Sequence, residues 1–203
     1  MKEFWDQKYS TPEYKYGKKA NNFFSRYLRT IPRGKILLPG EGEGRNAVFA
    51  ALKGWQVTGV DYSIKGKEKA IKLANASGVH IDYHHSNILE FPYPENHYDA
   101  VSIIFVHLPN KETETFYRKI YNTLKPGGVF FGQLYSKDQI EFATGGPKKA
   151  EMLYTIEELT EYLKDFHIQK LKKHERLIYE GDLHFGHSSV IDFAAVKPVD
   201  ISH

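Results

Sequence analysis

"ILLPGEGEGRNAVFAALKGWQVTGVDYS", residues 36–63, places three glycines at every second position between a short apolar run and a segment with helical spacing. Glycine costs roughly 0.5–1 kcal/mol relative to alanine inside a regular element, so Gly40, Gly42 and Gly44 indicate a tight turn or a ligand lying against the main chain. A second apolar run ends at Asp61, 21 residues after Gly40. The stretch therefore predicts a strand, a glycine turn, a helix and a second strand with an acid at its end.

Outside this stretch, apolar runs of strand length alternate with helical patterns. Strands are predicted at residues 35–39, 56–60, 80–84, 99–105 and 128–134. Helices are predicted at residues 45–52, 65–76 and 111–124. This alternation is typical of an α/β fold, in which helices cover both faces of a mostly parallel sheet. A later helix at 156–163 and strands at 168–176 and 190–196 predict an antiparallel hairpin at the sheet edge.

Composition narrows the class of protein. The 203 residues fit one domain, residues 1–203, and the 28 Lys and Arg against 25 Asp and Glu do not predict nucleic-acid binding. The absence of cysteine excludes disulfides, zinc-thiolate sites and a thiol nucleophile. The N-terminus lacks the apolar region of a signal peptide, and no stretch approaches 18 uninterrupted apolar residues. We expect a cytoplasmic protein that does not enter membranes.

The glycines and the acid together predict a nucleoside-bearing cofactor. In an open parallel sheet, ligands bind beyond the carboxyl ends of the strands, where a helix N-terminus supplies unpaired N–H groups and an acid accepts hydrogen bonds from ribose. The alternative is a tight strand-to-helix turn with a surface aspartate. A dinucleotide fingerprint would need a third glycine at position 45, which is Arg45, so the spacing weakens an NAD-linked oxidoreductase.

Three motifs in order resemble class I S-adenosylmethionine-dependent methyltransferases: the glycine loop with Asp61, "NILEFPYPENHYDAV" at 87–101 and "LKPGGVF" at 124–130. The resemblance implies a Rossmann-like, seven-stranded sheet with a reversed edge strand. It also implies S-adenosyl-L-methionine as cofactor and S-adenosyl-L-homocysteine as product. The cofactor-binding positions that it implies are Gly40, Glu41, Gly42, Gly44, Arg45, Asn46, Asp61, Tyr62, Ser63, Asn87, Ile88, Ile104, Phe105 and Val106.

Two positions depart from that family pattern. The family usually has an acid two residues before the first glycine, where this chain has Leu38, and either Glu41 or Glu43 could take over the contact to the methionine ammonium. The residue expected to meet the adenine amino group is usually Asp, and here it is Asn87, whose side-chain carbonyl can still accept from that group.

A narrower resemblance covers almost the whole chain. The segments "FWDQKYSTPEYKYG" at 4–17, "TGGP" at 144–147 and "EGDLHFGH" at 180–187, with the glycine loop, are similar to the small bacterial tellurite-resistance (TehB-like) group. This resemblance implies a small, soft acceptor and a histidine brought to the active site by residues 181–184. It divides the chain into an N-terminal helical lid at 1–30, a cofactor-binding core at 35–135 and an acceptor side at 136–203.

Histidines and tyrosines are the candidates for chemistry beside the cofactor. A general base is needed only if the acceptor arrives protonated. His184 in the hairpin and His107 after the fourth strand are the predicted catalytic residues, and the alternative for each is a surface or packing role. Tyr9, Tyr14 and Tyr16 could form an aromatic lid over a cationic sulfonium, or simply pack an N-terminal helix.

The sequence leaves other functional classes open. The pairs His84-His85 and His184-x-x-His187 lack an obvious third and fourth ligand, so we predict no metal site. A non-catalytic domain that binds or senses S-adenosylmethionine would share the cofactor motifs. An RNA methyltransferase would need a basic-aromatic strip, which the sequence does not show. A small-molecule acceptor is therefore the favoured partner, and the sequence does not distinguish a monomer from a homodimer.

Overall fold

A central sheet organises the chain, in a computed structural model that describes residues 2–142, 144–181 and 185–199. Its strands are β1 Lys35–Pro39, β2 Gln56–Asp61, β3 Asp82–His85, β4 Tyr98–Ile104, β5 Leu124–Tyr135, β6 His167–Tyr179 and β7 Phe185–Val196. They lie in the order β3-β2-β1-β4-β5-β7-β6. The first five run parallel, whereas β7 pairs antiparallel with both β5 and β6. The predicted seven-stranded α/β sheet with an antiparallel edge hairpin is confirmed.

Helices pack on both faces of this sheet, as predicted. They are α1 Lys2–Tyr9, α2 Asn22–Tyr27, α3 Arg45–Leu52, α4 Ile64–Ala76, α5 Asn110–Thr123 and α6 Ile156–Tyr162. Successive strand residues point to opposite faces. Ile36 and Leu38 therefore join the core formed with α2, α3 and α4, while Leu37 joins the core formed with α5 and α6. Because both faces are covered, the central strands are continuous apolar runs rather than alternating ones.

Element boundaries differ from the prediction where backbone pairing continues past the apolar residues. β5 begins at Leu124 rather than at residue 128, because Leu124 already pairs with Tyr98 of β4. The edge hairpin extends to the pair Tyr179 and Phe185. Both side chains are exposed, so the pattern of buried apolar residues does not predict that the strands continue this far. β3 starts two residues later than predicted, at Asp82.

The topology fixes where a ligand can bind. Strand order reverses between β1 and β4, which are adjacent although two strands separate them in the chain. Ligands of open α/β sheets bind beyond the carboxyl ends of the strands at such a switch point. The ends of β1, β2 and β4 therefore frame the candidate site. Within the described residues, no helix has both the length and the apolar character needed to cross a membrane.

Candidate active site

The glycine loop, residues 40–44, joins β1 to α3 at this edge. Gly40, Gly42 and Gly44 have φ angles of 70°, 63° and 86°, a left-handed conformation that residues with a side chain rarely adopt. A Cβ atom on Gly44 would lie 2.6 Å from the Cβ of Ala70 in α4. One on Gly42 would lie 2.8 Å from the Tyr9 hydroxyl oxygen. The glycines therefore serve the turn and also allow α4 and the N-terminal segment to approach the main chain.

Asp61, at the end of β2, lies directly beside the loop. Its Oδ2 accepts a hydrogen bond from the Gly42 N–H at 2.8 Å, and its Oδ1 accepts one from the Ser63 N–H at 2.8 Å. Burial raises the pKa of this carboxyl to about 6, and the two N–H groups offset only part of that rise. A carboxylate has roughly four acceptor positions, so Asp61 keeps acceptor capacity for ribose hydroxyls after both contacts. The residues present fit a nucleoside cofactor.

Glu41 supplies the cap that Gly44 cannot give to α3. Helix α3 begins after Gly44, which has no side chain, while its first N–H groups need acceptors. Glu41 Oε1 accepts from the N–H groups of Asn46 at 2.8 Å and Ala47 at 2.7 Å. Burial raises the pKa of the Glu41 carboxyl to about 7, although these bonds lower it. The side chain that could meet a methionine ammonium thus already has a helix-capping role.

Substituting Glu41 by alanine should reduce the free energy of unfolding by about 0.5–2 kcal/mol, because two N–H groups of α3 lose their acceptor. Chemical denaturation at pH 6 measures the change, because the pKa is raised to about 7 and ionising the buried carboxyl above that pH costs stability that would mask the lost hydrogen bonds. Glu95→Ala, at an exposed position, is the matched control and should stay near wild type. Equal stability of the two variants would contradict the capping role.

Glu43 makes an ion pair with α4. Its Oε1 lies 2.6 Å from the Lys69 ammonium nitrogen, and both side chains are largely buried. Its Oε2 accepts from the Tyr16 N–H at 3.4 Å. Of the two glutamates predicted as ammonium contacts, Glu43 is therefore the one that ties the loop to α4 and to the N-terminal segment.

Residues 2–17, which we call the N-terminal cover, lie against the glycine loop. Tyr9 is only 5% exposed, and its ring stacks on Trp5 at 5.6 Å and meets the edge of Tyr16 at 6.4 Å. Asp6 accepts from the Ser63 hydroxyl at 2.5 Å, which fixes α1 to the start of α4. Tyr9 and Tyr16 thus meet at the loop, and their role as a lid over the cofactor stays a prediction.

Tyr14, the third tyrosine of the predicted lid, contacts a different element. Its hydroxyl donates to the Lys69 carbonyl oxygen of α4 at 3.0 Å, and its ring lies under the Lys69 ammonium nitrogen at 5.1 Å from the ring centre. Two of the three predicted lid tyrosines therefore approach the glycine loop, and the third packs on the helix beside it.

Arg45 and Asn46, predicted from the loop motif as cofactor contacts, direct their side chains to other parts of the chain. The Arg45 guanidinium donates to the Tyr16 carbonyl oxygen at 3.1 Å and pairs with Glu180 at 2.7 Å. Asn46 Oδ1 accepts from the Asn21 N–H at 3.0 Å. In this conformation both side chains join structural elements to each other.

The end of β4 contains a backbone feature that the sequence does not reveal. Phe105 has a φ of 55°, which is uncommon for a residue with a side chain, and its ring stacks on Tyr135 at 4.4 Å. Ile104 and Val106 flank it and are half-buried. Val106 also meets Gly40, since a Cβ on that glycine would lie 2.6 Å from Val106 Cγ2. The three residues predicted at the end of β4 therefore lie at the edge that holds the glycine loop.

His107 has both ring nitrogens in hydrogen bonds with the backbone. Its Nδ1 donates to the Met152 carbonyl oxygen at 2.8 Å, and its Nε2 accepts from the Tyr135 N–H at 3.3 Å. Burial lowers the pKa of the imidazole to about 4, so it is neutral at physiological pH. Neither nitrogen is available to take a proton from an acceptor, and the geometry does not support the catalytic role predicted for His107.

The remaining predicted positions lie around the ends of β2 and β3. Tyr62 is 36% exposed, and Ser63 caps α4 by accepting from the Gly66 N–H at 3.1 Å. Asn87 Oδ1 accepts from the Leu89 N–H at 3.0 Å, so its carbonyl stabilises a local turn. Ile88 is buried in the core on the α5 and α6 side. His184 lies outside the described residues, and its role remains a prediction.

The sequence analysis did not predict a buried polar network that is centred on Glu180. Glu180 accepts from Arg45, Arg176 and Asn21, and Arg176 also donates to Gln133 at 2.9 Å. A polar residue inside the apolar β5 run, Gln133, is the one signal in the sequence that could have indicated it. Among the described residues, no group of three or more His, Asp or Glu side chains could hold a metal ion.

Known proteins with similar sequences include methyltransferases, in agreement with the geometry of the glycine loop and Asp61. Residues 36–128 match the family described as "Methyltransferase domain". The chain is 26% identical over 155 residues to the sterol 24-C-methyltransferase of Gibberella zeae. The aligned region covers 68% of this chain and 40% of that protein. The chain thus spans less than half the length of this curated relative.

Solved structures share the fold across nearly the whole chain. A SAM-dependent methyltransferase from Methanosarcina mazei superposes with a TM-score of 0.71 at 17% identity, covering 90% of this chain and 100% of that one. TehB from Haemophilus influenzae gives a TM-score of 0.73 at 18% identity, covering 97% of this chain and 66% of that one. Likeness at such identities shows the fold alone. The chain is thus similar to a methyltransferase domain over residues 36–128 and shares the fold of SAM-dependent methyltransferases.

Proposed function

We propose that this protein transfers the methyl group of S-adenosylmethionine to a small-molecule acceptor. The observation that supports it most is the Asp61 carboxylate, which is buried at the end of β2 and held by the Gly42 N–H of the glycine loop. Such a carboxylate is oriented before the cofactor arrives. It can accept hydrogen bonds from the ribose hydroxyls without reorganising, which favours binding.

The bound cofactor supplies a sulfonium methyl group that is already reactive. The chain's own task is therefore to orient the acceptor and to exclude water. The N-terminal cover supports the second task, because Tyr9 is buried against the loop and Tyr16 lies beside it. Aromatic faces also attract a cation within about 6 Å of the ring centre.

For the acceptor, we favour a soft nucleophile such as a chalcogen oxyanion or a thiol. The short motifs at 144–147 and 180–187 support this choice through their similarity to the tellurite-resistance group. Thr144 of the first motif donates to the His187 carbonyl oxygen of the second at 2.6 Å, so the two motifs lie together. A soft acceptor such as a thiolate attacks without a general base, which is compatible with the fully bonded His107.

The experiment that tests the activity supplies the purified protein with S-adenosylmethionine and separate acceptors, namely tellurite, selenite and small thiols. Release of S-adenosylhomocysteine that depends on one acceptor is the expected result. Cofactor binding without release for any small acceptor would favour the alternative, a domain that binds or senses the cofactor without catalysis. RNA as the acceptor is tested in the same assay by adding total RNA.

A further inference from the structure

The backbone of Tyr16 is held on both sides by charged residues of the glycine-loop region. Its N–H donates to Glu43 Oε2 at 3.4 Å, and its carbonyl oxygen accepts from the Arg45 guanidinium at 3.1 Å. Glu43 and Arg45 flank Gly44, where the loop turns into α3. The conformation of the loop therefore determines where Tyr16 lies.

Arg45 is itself anchored by a buried ion pair. Its other terminal nitrogen lies 2.7 Å from Glu180 Oε2, and the two side chains are 8% and 7% exposed. Glu180 also accepts from Arg176 at 3.0 Å and from Asn21 Nδ2 at 3.0 Å. Because these donors still compensate the Glu180 charge without Arg45, the contribution specific to Arg45 is its bond to Tyr16.

The chain approaches the N-terminal cover closely at the same place. A Cβ atom on Gly181 would lie 2.3 Å from the Lys15 carbonyl oxygen and 2.6 Å from the Gly17 nitrogen. The residue after Glu180 therefore packs backbone against backbone with residues 15–17. Arg45 lies at the junction of the glycine loop, the N-terminal cover and the end of β6.

From these contacts we propose that Arg45 is a positioning residue for the N-terminal cover. Anchored on Glu180, it holds the Tyr16 carbonyl, and Tyr16 in turn packs against Tyr9, which lies on Gly42. Arg45 thereby sets the aromatic side chains over the cofactor loop instead of contacting the cofactor through its own side chain. The part of this proposal that concerns cofactor affinity rests on the proposed function.

Two matched variants test the proposal. Arg45→Met and Arg176→Met each remove one arginine bond to Glu180, but of the two arginines it is Arg45 that bonds to Tyr16. In the ligand-free protein, hydrogen exchange of the amides at residues 14–18 should be about tenfold faster in Arg45→Met and unchanged in Arg176→Met. The dissociation constant for S-adenosylhomocysteine should rise about tenfold in Arg45→Met and less than threefold in Arg176→Met.

Thermal melts of both variants show whether either has lost its fold. If Arg45→Met does not fold, Arg45→Lys replaces it, because lysine keeps the positive charge but lacks the forked guanidinium. Arg45→Lys should show faster hydrogen exchange at residues 14–18 and an unchanged melting temperature. Unchanged exchange in the Arg45 variant, or the same increase in both variants, would overturn the positioning role. A wild-type protein that binds no S-adenosylhomocysteine would refute the proposed function, while the ligand-free exchange would still decide the role of Arg45.

Discussion

Alanine in place of His184 is expected to slow methyl transfer by roughly 10²- to 10⁴-fold for an acceptor that arrives protonated, such as a thiol, for which this histidine would act as general base, and far less if it only lines the acceptor pocket. The expectation comes from the "EGDLHFGH" motif, whose described residues reach the glycine-loop side of the molecule. Glu180 pairs with Arg45, and Gly181 packs on residues 15–17. A residue that acts on the acceptor should alter turnover and leave cofactor affinity unchanged.

The control for this variant is His187→Ala. His187 is exposed, and it is its backbone carbonyl that accepts from Thr144. His187→Ala should therefore keep a rate near wild type. A wild-type rate for His184→Ala, with normal cofactor binding, would remove His184 from the mechanism.

The second large effect is expected for Asp61→Ala, which should weaken cofactor binding by about 1.5–3 kcal/mol through loss of charge-assisted hydrogen bonds. Calorimetric titration with S-adenosylhomocysteine measures it. Asp82→Ala is the control, because Asp82 begins the neighbouring strand β3 but is 64% exposed. Equal affinity of Asp61→Ala and wild type would show that the ribose assignment is wrong.

The Asp61 carboxyl also gives the binding a pH dependence. Its pKa is raised to about 6, so below that pH the group becomes protonated and loses the charge that accepts from the ribose hydroxyls. Wild-type affinity should therefore fall as the pH drops from 7 to 5. Asp61→Asn has no carboxyl to titrate at this position. Its affinity for S-adenosylhomocysteine should be lower than that of the wild type and should change less over the same pH range.

The sequence predicted the fold well because the relevant signals are local. Strand, turn and helix patterns between residues 36 and 63 depend on neighbours a few positions apart, and the structure places β1, α3 and β2 there. The position of Asp61 beside the loop follows from the parallel pairing of β1 with β2. Helices and strands of this kind depend on which side chains are buried, and the periodicity of apolar residues predicts that burial.

The sequence could not predict which partner each polar side chain of the site would find. Arg45 looked like a cofactor contact from its place in the motif, but its guanidinium bonds to Tyr16 and to Glu180, which is 135 residues later in the chain. His107 looked like a base from its place after β4, but the Met152 carbonyl, 45 residues away, fixes its ring. Hydrogen bonds between distant segments depend on tertiary packing and leave no periodic signal.

The most direct test of the central claim, that Asp61 and the glycine loop hold S-adenosylmethionine, is calorimetric titration of the wild-type protein with S-adenosylhomocysteine and, separately, with NAD. The structure shows glycines only at alternate positions of the loop, with the Arg45 side chain where a dinucleotide fingerprint needs its third glycine. We predict saturable binding of one S-adenosylhomocysteine per chain and no binding of NAD. Binding of NAD, or no heat from S-adenosylhomocysteine, would contradict the claim.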